Sequence, residues 1–255
     1  MNNVKKLLLG LMTAGLFACN NGDQQHTGDN ESDSLSSNPF EKLMIRQVDS
    51  AAIPAGIKFK GSLYQAWEWK DALGDNLLIA SQTPITETTN ADDETGAAAS
   101  LHAFHYTKDG DTYKLLWQLN DGVKDCPVDL TCTYLANSIH ITDLDNNGVA
   151  ETTLQYKTAC RGDVSPAYMK VIMHQDTVKY GLRGNMWVKQ NTADRFTLSA
   201  DSLNLEKLPK PKDEYARLVQ MDGRYESEKD FLKAPESFLL FAKEQWLKHV
   251  IETFE

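Results

Sequence analysis

The 255-residue chain lacks a surplus of basic residues, since 26 Lys and Arg stand against 36 Asp and Glu, which gives a formal net charge of −10. An acidic surface repels phosphate backbones, and no local basic patch offsets it, so we expect no nucleic-acid partner. With only 8 Pro and 15 Gly, the chain is neither collagen-like nor wholly disordered. Its composition is that of one globular domain or of two small ones.

The familiar catalytic motifs are also missing. The sequence has no Gly-x-Ser-x-Gly elbow, no phosphate-binding glycine loop, no His-Glu-x-x-His, and no closely spaced Cys/His set for zinc. His102 and His105 stand three residues apart on a predicted strand, so they face opposite sides and cannot easily share a ligand. The sequence therefore predicts no catalytic residue, although the carboxylate pair of a glycoside hydrolase can come from any part of a fold.

Long hydrophobic runs are absent except near the N-terminus. Leu7 to Phe17 is apolar, follows Lys5 and Lys6, and is too short to span a bilayer as a permanent helix. It runs into Ala18 and Cys19, and the small residue before the cysteine resembles the lipobox of bacterial lipoproteins. The resemblance implies a signal peptide over residues 1–18 and a lipid on Cys19. A plain secretory signal and a buried N-terminal helix are the alternatives.

An acidic segment follows the predicted lipid anchor. Residues 20–38 contain no Lys or Arg, and Leu35 is their only apolar side chain of any size. Such a segment cannot bury enough surface to offset its ordering entropy, so we expect residues 19–38 to form a flexible tether. Asn20, rather than Asp, follows the cysteine, and by analogy with lipoproteins this implies an outer-membrane protein that faces the periplasm or the cell surface.

Residues 39–255 are expected to form a single domain, which begins with two hairpins. Gly61–Ser81 forms the first around a turn at 71–76, and Leu101–Leu119 forms the second around a turn at 108–111. The polar stretch 83–98 between them is expected to be a loop. Alternation predicts that each of two apolar sets shares one strand face, namely Leu63, Trp67 and Trp69, and Leu115, Trp117 and Leu119.

The same order of strands then appears again. Ile139 and Ile141 lead into a turn at 143–148, a strand follows through Tyr156, and a further strand pair covers 169–182. The first turns of the two meanders start at residues 71 and 143, which are 72 positions apart. This spacing is consistent with an internal duplication or with the ordinary repetition of antiparallel proteins. The sequence predicts a mainly β fold of antiparallel meanders, either propeller-blade-like or a sandwich.

The C-terminal segment has a different period. Apolar residues recur at helical spacing, which predicts an amphipathic helix over Pro235–Phe254 that packs its apolar stripe on the core. The stripe consists of Leu239, Ala242, Trp246, Val250 and Phe254.

The turn at residues 143–151 is the one motif that points to an ion. It offers oxygen ligands at positions 1, 3, 5 and 9, a backbone carbonyl at position 7, and a glycine at position 6, where a sharp turn needs a permissive backbone. Calcium, a hard cation, takes six to eight such oxygens. The predicted ligands are Asp143, Asp145, Asn147, Val149 through its carbonyl, and Glu151. An Asp/Asn-rich turn without metal is the alternative.

Two family resemblances accompany this loop. It is not an EF-hand, because position 12 is Leu154 and the flanks alternate as strands. It resembles the calcium loop of FG-GAP and VCBS-type repeats, in which Asn147 and Glu151 replace two aspartates. The wider segment 120–185 resembles a family of poorly characterised bacterial lipoproteins associated with surface polysaccharide biosynthesis. That resemblance implies an association with the envelope polysaccharide and carries over no catalytic residue.

Three cysteines remain beyond Cys19, so at most one intramolecular disulfide can form. Pairing of Cys126 with Cys160 would close a loop across the acidic hairpin and stabilise the fold by about 3–4 kcal/mol. Pairing of Cys126 with Cys132 would close a small local loop. We prefer the first pairing, which leaves Cys132 as a buried thiol or an intermolecular cysteine.

These observations predict a non-catalytic, calcium-stabilised envelope lipoprotein. The membrane would be contacted through the lipid anchor, and a polysaccharide or another envelope protein would be the partner. One alternative is an inhibitor or immunity lipoprotein that blocks a peptidoglycan hydrolase. A glycan-acting hydrolase is the other alternative, and it would need a cleft with two carboxylates about 5–9.5 Å apart.

Overall fold

The computed structural model describes residues 43–89 and 94–254. The predicted signal peptide, Cys19 and the tether lie outside these residues. Strands make up 48% and helices 15%, and the two large sheets are antiparallel, which confirms the prediction of a mainly β fold with a C-terminal helix. Among the described residues, no helix has the length and apolar character needed to cross a bilayer.

The first sheet contains six strands in the order β1-β2-β3-β5-β4, with β6 on the other edge of β5. Its long central strand β5 pairs along one edge with β3 and then with β4. The strands are β1 Arg46–Val48, β2 Ser62–Asp71, β3 Gly74–Gln82, β4 Thr86–Thr89, β5 Thr95–Asp109 and β6 Thr112–Cys126. The two predicted hairpins are confirmed as β2–β3 and β5–β6.

The second sheet contains five strands in the order β11-β10-β9-β7, and β8 also pairs with β9. Its strands are β7 Asp129–Tyr134, β8 His140–Thr142, β9 Glu151–Arg161, β10 Tyr168–Gln175 and β11 Val178–Asn185. A small parallel pair completes the sheets and consists of β12 Trp187–Lys189 and β13 Ile251–Thr253.

Two α-helices lie near the C-terminal end of the described residues. Helix α1, Glu214–Met221, is N-capped by the Asp213 carboxylate, and α2 spans Glu236–His249. The prediction that α2 continues to Phe254 was wrong, because the chain leaves the helix to pair as β13 with β12. The Trp187 N–H, which donates to the Val250 carbonyl at 2.8 Å, fixes this exit. Phe254 is consequently 46% exposed.

Hydrophobic clusters lie on both faces of each sheet. One cluster contains side chains from both sheets, including Leu101 and Trp117 of the first and Leu154 and Ile172 of the second. The opposite face of the second sheet packs on α2 through Met169, Met173, Phe238 and Trp246, among others. The opposite face of the first sheet is covered by the segment before β2, through Ile53, Ile57 and Phe59.

Two β-bulges change the predicted strand faces. The register of β2 shifts between Leu63 and Gln65, so Leu63 packs on the outer face while Trp67 and Trp69 contact the cluster shared by the two sheets. A second shift in β6, opposite His105 and Tyr106, turns Leu115 outward, and its side chain is 47% exposed. One extra residue in a strand reverses every side chain beyond it, and period-two alternation cannot anticipate that.

The prediction of a loop over residues 83–98 was also wrong. Thr86–Thr89 forms β4, and β5 already begins at Thr95. The threonines and glutamates of this stretch suit an exposed edge hairpin, since Thr86 and Glu87 lie opposite Ala98 and Ala97 on the long strand β5.

A disulfide joins the two sheets. Cys126 ends β6, Cys160 lies in β9, and their Cα atoms are 5.6 Å apart. This is the preferred pairing of the two that the sequence allowed. Cys132 is a half-buried free thiol, and burial raises its pKa to about 11.

Candidate metal centre

The acidic loop joins β8 to β9, and its backbone turns sharply twice. Asn146 and Gly148 both adopt positive φ angles, of 56° and 83°. Gly148 occupies position 6 of the loop, where the left-handed conformation favours a residue without a Cβ atom. The structure therefore contains the tight turn that the sequence predicted at this position.

Three of the predicted ligand side chains meet at this loop. Carboxylate oxygens of Asp143, Asp145 and Glu151 all lie within 4.8 Å of one another. Three carboxylates at this separation repel each other unless protons, hydrogen-bond donors or a cation offset their charge. The group has only oxygen donors and contains neither cysteine nor histidine, which suits a hard cation such as Ca²⁺ and not zinc.

Glu151 is the most buried member of the group, with no exposed surface. Its Oε2 accepts hydrogen bonds from the Thr142 hydroxyl at 3.0 Å and from the Leu144 N–H at 2.8 Å. Burial nevertheless raises the pKa of Glu151 to about 7, and the neighbouring carboxylates of Asp145 and Asp143 add to the rise. In the absence of a cation this carboxylate is thus costly to ionise near neutral pH.

The side chain of Gln175 lies among the predicted ligands. Its Nε2 donates to Glu151 Oε1 at 2.9 Å and lies 3.3–3.4 Å from both carboxylate oxygens of Asp145 and from the Val149 carbonyl. An amide nitrogen carries two hydrogens, so it cannot satisfy four oxygens at once. The oxygens at loop positions 3, 7 and 9 therefore surround the amide nitrogen of Gln175.

The sequence did not predict Gln175 as part of this group, because its place beside Glu151 depends on how β9 and β10 pair. It ends β10 and stands directly opposite Glu151, the first residue of β9. In the sequence it belongs to a predicted turn, 24 residues beyond Glu151. The period-two pattern of the two strands indicates that they pair, but not which residues face each other at their ends.

Hydrogen bonds of Asn147 and Asp143 shape the loop. Asn147 accepts a hydrogen bond from the Val149 N–H at 2.7 Å and donates through Nδ2 to Asp145 Oδ2 at 3.0 Å. Both carboxylate oxygens of Asp143 lie 3.3 Å from the Gly148 N–H. These contacts fix the loop conformation and orient Asp145 towards Glu151 and Gln175.

The first hairpin holds the acidic loop from outside. Asp71 Oδ2 accepts from the Ala150 N–H at 3.0 Å, and the Ala72 N–H donates to the Gly148 carbonyl at 2.7 Å. Asp71 is itself fixed, since it accepts from the Trp69 indole N–H at 3.0 Å and from the Asn76 amide at 2.9 Å. The turns that start at residues 71 and 143, the first turns of the two predicted meanders, are thus in direct contact.

The histidines do not join this group. His105 lies in the region between the sheets, where its Nε2 contacts Asn76 Oδ1 at 2.9 Å and its ring packs on Trp69 and Trp117. His102 contacts Asn120 and stacks on Phe104, on the other face of β5. The two side chains face opposite sides of the strand, as their spacing predicted.

The chain was compared with protein families, with curated proteins and with solved structures. No family profile, no curated protein and no solved structure matches it significantly.

Proposed function

We propose that the chain is a non-catalytic, calcium-stabilised lipoprotein of the outer membrane, which supports the assembly or display of surface polysaccharide. One observation carries the calcium part of this proposal: carboxylate oxygens of Asp143, Asp145 and Glu151 lie within 4.8 Å of one another. Oxygens of Asp145, Val149 and Glu151 also surround the Gln175 amide nitrogen. The lipid anchor at Cys19 and the polysaccharide association are proposed from the sequence resemblances.

The donor set favours calcium among the divalent cations. Asp143, Asp145 and Glu151 supply carboxylates, the Val149 carbonyl supplies a fourth oxygen, and rotation of the Gln175 amide by half a turn would supply a fifth. Ca²⁺ accepts such a mixed and irregular set, whereas Mg²⁺ demands a near-ideal octahedron and retains its waters. Extracellular calcium is millimolar, and sites of extracellular modules have dissociation constants of about 10⁻⁴ to 10⁻³ M.

The surroundings of the loop favour a structural role for the ion. The loop contacts the first hairpin through Asp71 and Ala72, while Glu151 and Gln175 belong to β9 and β10 of the second sheet. An ion bound by the acidic loop would connect the loop to β10 through Gln175. The hydrogen bonds of the loop to Asp71 and Ala72 would extend this connection to the first sheet. We propose on this basis a sandwich-like body rather than successive propeller blades, and the cluster shared by both sheets supports this.

The calcium proposal is tested by thermal unfolding of the protein after chelation, with and without added CaCl₂. We expect calcium to raise the Tm of the wild-type protein, because an ion that binds only the folded state stabilises it. The double substitution Asp143→Ala with Asp145→Ala should abolish this rise. Asp109→Ala with Asp111→Ala, in the β5–β6 turn, is the matched control and should keep it. An equal rise in the Asp143/Asp145 variant would contradict the loop assignment.

The anchor and the cellular role need separate experiments. Palmitate labelling should require Cys19, and a Cys19→Ala protein that remains labelled would refute the anchor. A deletion strain should lose or shorten its surface polysaccharide, and the wild-type gene should restore it. Unchanged polysaccharide in that strain, or release of sugar from purified glycan by the protein alone, would contradict the proposed role.

A further inference from the structure

A cavity of about 650 Å³ opens on the face of the first sheet that points away from the second sheet. This volume is within the range of small-ligand sites in proteins. Ser100 and His102 of β5 and Asn120, Gly122 and Lys124 of β6 line it, and they alternate along their strands and so share one face.

The cavity lies at an irregular point of the sheet. The β5–β6 register shifts between Ala97 and Ala99, so Ala98 lies opposite two residues of β6, Lys124 and Asp125. Asp125 adopts a positive φ of 50° at this bulge. At Gly122 the strands approach so closely that a Cβ atom would lie 2.4 Å from the Ala99 carbonyl oxygen. The bulge and the close approach shape the depression.

His102 supplies a polar group that the fold leaves without a partner. The residue is 3% exposed, its Nδ1 contacts Asn120 Oδ1 at 2.7 Å, and its ring stacks on Phe104. Its Nε2 is buried and has no hydrogen-bond partner among the described residues. Since Asn120 Oδ1 accepts from Nδ1–H, Nε2 of the neutral ring carries the lone pair and is a hydrogen-bond acceptor. Buried polar atoms are almost always paired, so an orphaned one in a residue that lines a cavity points to a missing partner.

Two of the three charged residues that line the cavity are positive, although the whole chain is acidic. Lys60 and Lys124 line it, and neither makes an ion pair with a residue in the described ranges. The backbone of Lys60 is held in place, because the Ser81 hydroxyl donates to its carbonyl at 2.6 Å. Asp121, which also contributes to the lining, is committed to the Lys170 ammonium and to the Tyr156 hydroxyl. The two lysines are therefore available for an anionic ligand.

The geometry points to a binding site for a sugar that carries a carboxylate, a uronic acid in chemical class. Lys60 and Lys124 would pair with the carboxylate, while His102 Nε2, the Asn120 amide and the Ser100 hydroxyl would bind ring hydroxyls. A carboxylate alone would leave His102 unpaired, and a neutral sugar would leave both lysines unpaired. The inference rests on the proposed function in one respect, the source of the sugar, which would be an acidic monosaccharide unit of the surface polysaccharide.

The test is a binding titration of the folded, soluble protein with D-glucuronate, followed by NMR and compared with D-glucose and acetate. We expect glucuronate to shift the ring signals of His102 and the amide signals of Ser100 and Gly122, with a Kd about tenfold below that of either control. Acetate that binds as tightly as glucuronate would overturn the assignment to a sugar. Equal binding of glucose would overturn the role of the lysines, and no shift with any of the three would overturn the site.

Matched variants test which side chains bind glucuronate. Lys60→Gln with Lys124→Gln should raise the Kd for glucuronate about tenfold and leave the Tm unchanged, because both side chains are exposed. Lys210→Gln with Lys233→Gln removes the same charge outside the cavity and should have no effect. His102→Phe, which keeps an aromatic ring of similar size, should weaken glucuronate binding but not acetate binding. These titrations are independent of the calcium-dependent Tm, so failure of either proposal is recognised separately.

Discussion

The carboxylate of Asp71 accepts a hydrogen bond from the backbone N–H of Ala150 at 3.0 Å, although 79 residues separate them. This bond connects the turn of the first hairpin to the acidic loop of the second sheet. The same oxygen accepts from the Trp69 indole N–H, and the other carboxylate oxygen accepts from the Leu73 N–H and the Asn76 amide. Asp71 is thus a positioning residue for the loop and not one of its proposed ligands.

We predict that Asp71→Asn destabilises the protein and weakens calcium binding. An amide has one acceptor oxygen where the carboxylate has two, so at least one charge-assisted bond is lost, at a cost of about 2 kcal/mol. Loss of a residue that orients metal ligands costs about tenfold in affinity. Urea unfolding and calcium titration measure the two effects. Asp75→Asn, in the same turn but exposed, is the control, and equal behaviour of the two variants would contradict the positioning role.

The second prediction concerns the amide that borders the proposed ion. Gln175→Glu places a fourth carboxylate beside Asp145 and Glu151 and removes their shared donor. The protein without metal should lose about 2 kcal/mol of stability, because like charges at this distance repel and the hydrogen bonds are lost. Calcium should then raise the Tm by more than it does in the wild-type protein.

Gln118→Glu, on the exposed face of β6, adds the same charge away from the loop and serves as the control. A calcium-induced rise in Tm that is smaller in Gln175→Glu than in the wild-type protein would show that Gln175 does not face the ion.

The elements that are marked by residues close together in the chain were predicted correctly from the sequence. The hairpin turns near residues 71–76 and 108–111 are marked by Asp, Asn and Gly, whose backbone preferences act over a few residues. The spacing of the acidic residues in the loop is equally local, and three of their carboxylates lie within 4.8 Å of one another. The helix over Glu236–His249 is predictable because its apolar residues recur at helical spacing. That spacing places them on one side of the helix, which packs on the second sheet.

The features that sequence reasoning missed depend on partners that are distant in the chain. Leu63 and Leu115 changed faces because a bulge is a property of strand pairing. The C-terminal residues are not helical because β13 pairs with β12, which lies more than 60 residues earlier in the chain. Gln175 joined the candidate centre through the register of β10 against β9. Alternation within one strand carries none of this information.

The third prediction is a pH dependence of stability that arises from His105. Burial lowers the pKa of His105 from 6.5 to about 3, so the folded protein keeps this ring neutral where the unfolded chain protonates it. The unfolded state then binds more protons between about pH 6.5 and pH 3, and stability falls as the pH is lowered through this range. One group contributes about 1.4 kcal/mol per pH unit there.

His105→Gln should keep the bond to Asn76 and remove this contribution. Urea unfolding in the presence of a calcium chelator, at pH values from 6.5 down to the acid limit of folding, measures the slope for both proteins. A variant whose stability falls as steeply as that of the wild-type protein would show that His105 is already protonated in the folded state.

The fourth prediction concerns the disulfide between Cys126 and Cys160. The sequence separation of 34 residues gives a loop-closure contribution of about 3–4 kcal/mol. Cys126→Ser with Cys160→Ser should lower the free energy of unfolding by about this amount, whereas Cys132→Ser should lower it less. Mass mapping of the unreduced protein should recover the Cys126–Cys160 peptide, and recovery of a Cys126–Cys132 peptide alone would refute the pairing.

The most direct measurement is a crystal structure of the protein grown with calcium, with the ion identified by its anomalous signal. We expect one ion bound by Asp143, Asp145, Glu151 and the Val149 carbonyl, with the Gln175 amide rotated so that Oε1 faces the ion. Carboxylates that enclose no ion at millimolar calcium, with Gln175 Nε2 still bonded to Glu151, would contradict it.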